Sequence, residues 1–264
     1  MAFLQIGNCV HHYVDEGDKR RPALLFSNSL GSDLRMWDPL VGFLASDFRL
    51  IRYDTRGHGL SEAPPPPYSV GELARDTAGL LDALGIHSAV FCGLSAGGVI
   101  AQQFALDYPD RALALVLCDT GARVGSAAGW EERIAIVKEK GMAALVDLSM
   151  ARWFTEEFRK KHADQVRGYG NMVARSSPDG YIGVCAALRD GDLTQASRSI
   201  RTPTLVLCGD QDIATPPEMA RALADTIPKA RLSVIANAAH ISCAEQPEAM
   251  AELIKNFLRE VKVG

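Results

Sequence analysis

The sequence has no apolar run long enough to cross a bilayer. Its longest, such as Ala112 to Cys118, fall far short of the roughly 20 residues that a membrane helix needs. It also has no basic block, and a net charge of −4 leaves no electrostatic footprint for nucleic acid. The opening residues, Met1 to Asn8, show no basic segment followed by an apolar stretch, so no secretory signal is expected. The six cysteines (Cys9, Cys92, Cys118, Cys185, Cys208 and Cys243) form no Cys-x-x-Cys pair, and several lie in apolar strand-like runs where cysteine acts as a small hydrophobe. These absences predict a cytoplasmic protein with neither a nucleic-acid nor a membrane partner. Repeats and low-complexity segments are missing too, apart from Pro64 to Pro67, which reads as a stiff extended connector.

What is present is an alternation of short apolar runs with helical patterns. Ala23–Phe26, Leu50–Tyr53, Ala89–Cys92, Leu113–Leu117 and Leu205–Cys208 are almost continuously apolar, as expected of strands covered on both faces. Ser69 with Glu72 forms a capping-box pattern; Val70, Leu73, Thr77, Leu80, Leu81 and Leu84 follow at helical steps, and Gly85 ends the stripe. Met250, Leu253, Ile254, Phe257, Leu258 and Val261 repeat the pattern near the C-terminus. The order predicts an α/β fold with a mostly parallel central sheet flanked by helices. From about Gly121 to Ile200 the strand rhythm stops. The expected organisation is therefore a core of residues 1–120 and 201–264 with a helical cap, 121–200, inserted over the carboxyl ends of the strands.

Gly93-Leu94-Ser95-Ala96-Gly97 matches Gly-x-Ser-x-Gly, with an apolar run before it and a helical pattern after it. A nucleophile elbow needs this strand–turn–helix setting, because the serine must sit on a sharp turn between small neighbours. A serine hydroxyl also needs a base. In this architecture the partners follow in the order serine, acid, histidine, and His240 lies in a loop after the strand-like run Arg231–Ala236. The acid should follow the preceding strand. Of Asp210 and Asp212, the latter lies deeper in the loop and is taken as the acid, whereas Asp210 suits a turn cap.

Asn28-Ser29-Leu30-Gly31-Ser32-Asp33 with Met36-Trp37, then Asp54-Thr55-Arg56-Gly57-His58-Gly59, the Ser95 elbow, Gly121-Ala122-Arg123, Trp130 and Arg152-Trp153-Phe154-Thr155 together resemble the 3-oxoadipate enol-lactonases over nearly the whole chain. One departure is Ala96, where relatives usually carry methionine. The resemblance implies hydrolysis of a small lactone carrying a carboxylate, in protocatechuate and catechol catabolism, without metal or cofactor. It assigns a turn-holding role to Asp54, Arg56 and His58. Ser95 at the elbow also argues against dehalogenases and epoxide hydrolases, which use aspartate there.

The expected mechanism is an acyl-enzyme route using Ser95, His240 and Asp212, with the backbone N–H groups of Leu30 and Ala96 as the oxyanion hole. Trp130, Arg133, Ile134 and Val137 share one helical face, which puts Arg133 inside an apolar stripe. Arg133 is a candidate clamp for the substrate carboxylate. The alternative is an arginine at the stripe's edge, or one paired with Glu132 or Glu139. Trp130 and Trp153 are further substrate-binding candidates, as is Arg123. Rival readings on the same fold are a general carboxylesterase and a carbon–carbon bond hydrolase. A ligand receptor retaining the triad is the rival from another class.

Overall fold

The computed structural model describes residues 1–263. Eight strands form one sheet: β1 (Ala2–Ile6), β2 (Cys9–Glu16), β3 (Ala23–Ser27), β4 (Arg49–Tyr53), β5 (Ala89–Leu94), β6 (Ala112–Cys118), β7 (Thr204–Gly209) and β8 (Arg231–Ile235). Their order is β1-β2-β4-β3-β5-β6-β7-β8, parallel from β4 to β8 and antiparallel through β2 and β1.

The inner strands are apolar on both faces because both faces are covered. Leu24, Phe26, Val90 and Cys92 pack into the core on one side, and Leu25, Phe91, Leu115 and Leu117 into the core on the other. Each such side chain contributes about 1.5–3 kcal/mol when fully buried, so slipping a strand by one residue would forfeit both interfaces. The covering helices of the sheet are α1 (Asp38–Leu44), α2 (Val70–Ala83), α3 (Ala96–Asp107), α9 (Pro217–Thr226), α10 (Ser242–Glu245) and α11 (Pro247–Glu260). At the start of α2 the Ser69 hydroxyl accepts from the Glu72 N–H at 3.1 Å, and Gly85 leaves the helix at φ +66°.

The β1–β2 hairpin is an element that the continuous-apolar criterion passes over. β1 alternates half-buried and exposed residues, and β2 carries His11, His12, Asp15 and Glu16. A sheet edge with one solvated face has no need of an unbroken apolar run.

Between the end of β6 and the start of β7 there are helices and no strand: α4 (Ala127–Lys140), α5 (Val146–Trp153), α6 (Glu156–Lys161), α7 (Ala163–Ala174) and α8 (Pro178–Asp190). They rest on the loops that leave the carboxyl ends of the strands. A Cβ on Gly57, in the turn after β4, would stand 2.2 Å from the Gly180 Cα of α8, so only glycine permits that approach. The Ser176 hydroxyl donates to the Gly31 carbonyl at 3.4 Å, and the Ile241 N–H donates to the Trp153 carbonyl at 2.9 Å. Among the described residues, no helix is long and apolar enough to cross a membrane.

Candidate active site

Ser95 stands between the last residue of β5 and the first of α3, at φ 58°, ψ −115°. A residue with a Cβ is costly there, and its neighbours hold it. The Ser95 N–H donates to the Cys118 carbonyl at 2.9 Å, and the Thr120 hydroxyl donates to the Ser95 carbonyl at 2.7 Å. The chain turns so tightly that a Cβ on Gly97 would meet the Ser27 carbonyl oxygen at 2.0 Å, and one on Gly93 the Gly97 oxygen at 2.2 Å. The spacing of glycines around Ser95 is thus set by the approach of β3 and by the turn closing on itself.

Two backbone donors stand beside this turn. Among the described residues, the N–H groups of Leu30 and Ala96 make no hydrogen bond, although both residues are buried. Ala96 opens α3, whose first N–H groups have no acceptor within the helix. The loop carrying Leu30 is fixed through Asn28. Its side-chain amide donates to the Tyr53 carbonyl at 2.7 Å, its side-chain oxygen accepts from the Trp37 indole at 2.9 Å, and its carbonyl accepts from the Gly97 N–H at 3.0 Å.

His240 and Asp212 meet above the ends of β7 and β8. His240 Nδ1 lies 2.8 Å from Asp212 Oδ2. The same carboxylate accepts from the Thr215 hydroxyl at 2.6 Å and from the N–H groups of Ala214 and Thr215 at 2.7 and 3.0 Å. Burial works against ionising Asp212, but the imidazole and the Thr215 donors outweigh it and hold its carboxyl below the usual range. Burial likewise opposes a charged His240. The Asp212 charge and hydrogen bond overcome that, and the imidazole is raised above its ordinary value. Asp210 is turned elsewhere and accepts from the Ala238 N–H at 3.2 Å. The Nε2 of His240 and the hydroxyl of Ser95 make no hydrogen bond among the described residues, to each other or to a third group, and both residues line one cavity of about 450 Å³. In unliganded sites such bonds commonly close only in the complex.

Asp54, Arg56 and His58 are spent on structure. Asp54 accepts from the N–H groups of Leu34 and Leu60, each at 2.8 Å, and lies 2.8 Å from His12 Nδ1. Arg56 is paired with Asp76 and Glu72. Burial pushes the His58 imidazole down, and its Nδ1 faces the Arg56 carbonyl at 3.3 Å.

Two acidic residues at the site escape the sequence reading. Asp119, fully buried after β6, accepts from the Gly209 N–H at 2.8 Å and the Ser242 hydroxyl at 2.5 Å. One side chain therefore ties the acid loop to the loop behind His240. Burial and the nearby Asp212 charge push its pKa up to about 8. Glu245 accepts from Thr155 N–H and hydroxyl at 2.9 and 2.7 Å and from the Ala239 N–H at 2.6 Å, joining the helical segment to the base loop. An aspartate just past an apolar strand was the available signal for the first; the second had none. Asp119, Cys208 and Asp212 bring ligand atoms within 4.8 Å of one another. Both carboxylates are already hydrogen-bonded and burial pushes the Cys208 thiol far up, so the cluster is a hydrogen-bonded knot and a poor metal cage.

The opposite wall of the cavity comes from α4 and α5. Trp130, Arg133 and Trp153 line it, together with Arg152. Arg133 lies over the Trp130 ring at 5.2 Å and donates to the Tyr181 hydroxyl at 3.4 Å; neither Glu132 nor Glu139 pairs with it. Arg123 is half exposed, bonded to Asp192 at 3.2 Å, and is not brought to the cavity.

The chain belongs to the α/β-hydrolase fold family, whose model matches residues 22–247. It is a hydrolase of ester or lactone bonds. It is 36% identical to 3-oxoadipate enol-lactonase 2 of Acinetobacter baylyi, over 94% of this chain and 92% of that protein. The structure of the enol-lactonase from Burkholderia xenovorans superposes with a TM-score of 0.95 at 37% identity, covering 98% of this chain and all of that one. A thermophilic esterase from Thermogutta terrifontis, solved with malate bound, follows at 0.93 and 31%, covering 99% of both chains.

Proposed function

We propose that the protein hydrolyses 3-oxoadipate enol-lactone to 3-oxoadipate, in the cytoplasm, within the β-ketoadipate route of protocatechuate and catechol breakdown. The observation that carries this reading is the convergence on one cavity of Ser95 at a tight turn, an Asp212-oriented imidazole, Leu30 of the loop after β3 and an arginine with no carboxylate partner among the described residues. Similarity to enol-lactonases over 94–98% of the chain supports the substrate. Six buried free thiols suit a reducing compartment.

The Ser95 Oγ attacks the lactone carbonyl carbon while His240 Nε2 takes the hydroxyl proton, and Asp212 holds the ring with Nδ1 protonated. The tetrahedral oxyanion is received by the Leu30 and Ala96 N–H groups, and losing such a donor typically costs about 3–4 kcal/mol of barrier. Collapse breaks the ring C–O bond; the enol oxygen takes the proton from His240, and the enol relaxes to the ketone. Water, deprotonated by His240, then attacks the acyl carbon and returns Ser95 to its hydroxyl form. Residues 121–200 act as a cap whose Arg133 holds the substrate carboxylate, with Trp130 and Trp153 as apolar walls.

The test is incubation with enol-lactone generated in situ, following the loss of its ultraviolet absorbance. Turnover many times per second, abolished in Ser95→Ala, is the expected result. A single slow turnover would favour a receptor. Rapid turnover of simple esters with none of the lactone would favour a general carboxylesterase.

A further inference from the structure

In this chain, arginines withdrawn from solvent are generally matched by carboxylates. Arg49 is held by Asp15, Arg52 by Glu16 and Asp38, Arg56 by Asp76 and Glu72, Arg111 by Asp82, and Arg189 by Asp190 and Glu131. Arg133 and Arg152 break the pattern. Both are half-buried, both line the cavity that holds Ser95 and His240, and neither has a carboxylate within 4.0 Å among the described residues. Arg152, in the last turn of α5, makes no hydrogen bond to them either. Arg159 is also half-buried without a carboxylate but lies off the cavity. Among the described residues, the one acidic residue lining the cavity is Glu132, which is exposed and pairs with neither arginine. The two charges reach a common region: burial pushes the Tyr181 hydroxyl up, and both Arg133 and Arg152 act against that shift.

Two like charges facing one half-enclosed space repel each other, and each has lost part of its hydration. A ligand with one carboxylate answers only one of them. We propose that this cavity is a dicarboxylate site, in which Arg133 takes one carboxylate and Arg152 is the cationic partner of the second. The inference rests on the carboxylate-bearing lactone as substrate and adds the fate of its product. Deacylation delivers hydroxide from water to the acyl carbon and a proton to Ser95 Oγ; the acid so formed loses its proton to solvent, and a monoanion becomes a dianion. The pocket therefore matches product charge better than substrate charge, and flexible dicarboxylates of similar length compete with substrate.

Adipate and hexanoate share a six-carbon chain and differ by one carboxylate. Calorimetric titration of both into the Ser95→Ala protein reads binding without turnover. Adipate should bind about tenfold or more tightly than hexanoate. Arg152→Met, which keeps the apolar stem, should bring adipate down to the hexanoate level and leave hexanoate unchanged, with Arg152→Lys recovering part of the gap. Thermal melts of each variant report folding separately. Equal binding of the two acids overturns the proposal, and so does equal weakening of both by Arg152→Met, which would mean that the two arginines share one carboxylate. An adipate preference without lactone turnover would remove the lactonase reading alone; turnover without the preference would remove this one alone.

Discussion

On the sheet side of the cavity, charge is settled within the protein. Asp212 is met by an imidazole, a hydroxyl and two N–H groups, and Asp119 by an N–H and a hydroxyl. On the helical side, Arg133 and Arg152 face the same space with no carboxylate within 4.0 Å among the described residues. The sheet wall is organised before any ligand arrives, as electrostatic preorganisation requires, and suits acyl transfer in general. The helical wall is completed by the ligand. On the proposed function, chemistry belongs to the first wall and choice of substrate to the second, and variants can be aimed at either.

The largest effect is expected from the sheet side. Asp212→Asn should lower kcat by about 10⁴-fold, with the chain still folded. A base must be neutral to accept a proton, so activity falls as pH drops through the His240 pKa. That pKa is raised from the ordinary 6.5, which places the wild-type acid limb above 6.5. Without the Asp212 charge the limb should move to lower pH, read from kcat/KM profiles. An unmoved limb would show that the carboxylate does not govern the imidazole.

An intermediate effect is expected from the helical side. Arg133→Ala should raise KM for the acidic lactone by about 10- to 100-fold, while p-nitrophenyl acetate hydrolysis changes by no more than about threefold. Equal losses on both substrates would erase the division between the walls.

The smallest effect concerns Asp119, and it is read mainly in stability. Asp119→Ala leaves the Gly209 N–H and Ser242 hydroxyl unmatched and should cost about 1–3 kcal/mol by denaturant titration. Asparagine offers the same acceptor without a charge and should restore most of it. The folded-state pKa near 8, against 3.8 for an ordinary aspartate, means that the folded chain holds an extra proton between those values. The stability this gives is complete below 3.8 and is lost as pH rises to about 8. Melting temperatures of the wild type relative to Asp119→Asn should therefore decline from pH 5 to 8 and level off above.

The parallel strands β3 to β7 were legible because two-sided burial writes itself as nearly unbroken apolar sequence, and the elbow because its turn tolerates so few residue types. The lone histidine in a loop after β8 could be singled out by chain order, and Asp212 separated from Asp210 by its deeper place in the loop after β7. The β1–β2 hairpin was not legible, since a sheet edge carries polar residues that no pattern separates from a loop. Asp119 and Glu245 were hidden for another reason. Their partners lie in distant parts of the chain, so their importance is a property of loops meeting, which no local window contains. Arg152 stands in the Arg-Trp-Phe-Thr run, where nothing local marks its charge. Only the pairing of the other buried arginines makes its lack of a partner conspicuous.

Asp212 and His240 follow β7 and β8, the last two strands among the described residues and the outermost on the parallel side of the sheet. A chain synthesised only through β6 carries Ser95 but neither Asp212 nor His240. Gly209 and Ser242, which neutralise the burial of Asp119, also emerge late. On the proposed triad, hydrolytic competence therefore waits for the segments that follow β7 and β8, which are made after the Ser95 elbow.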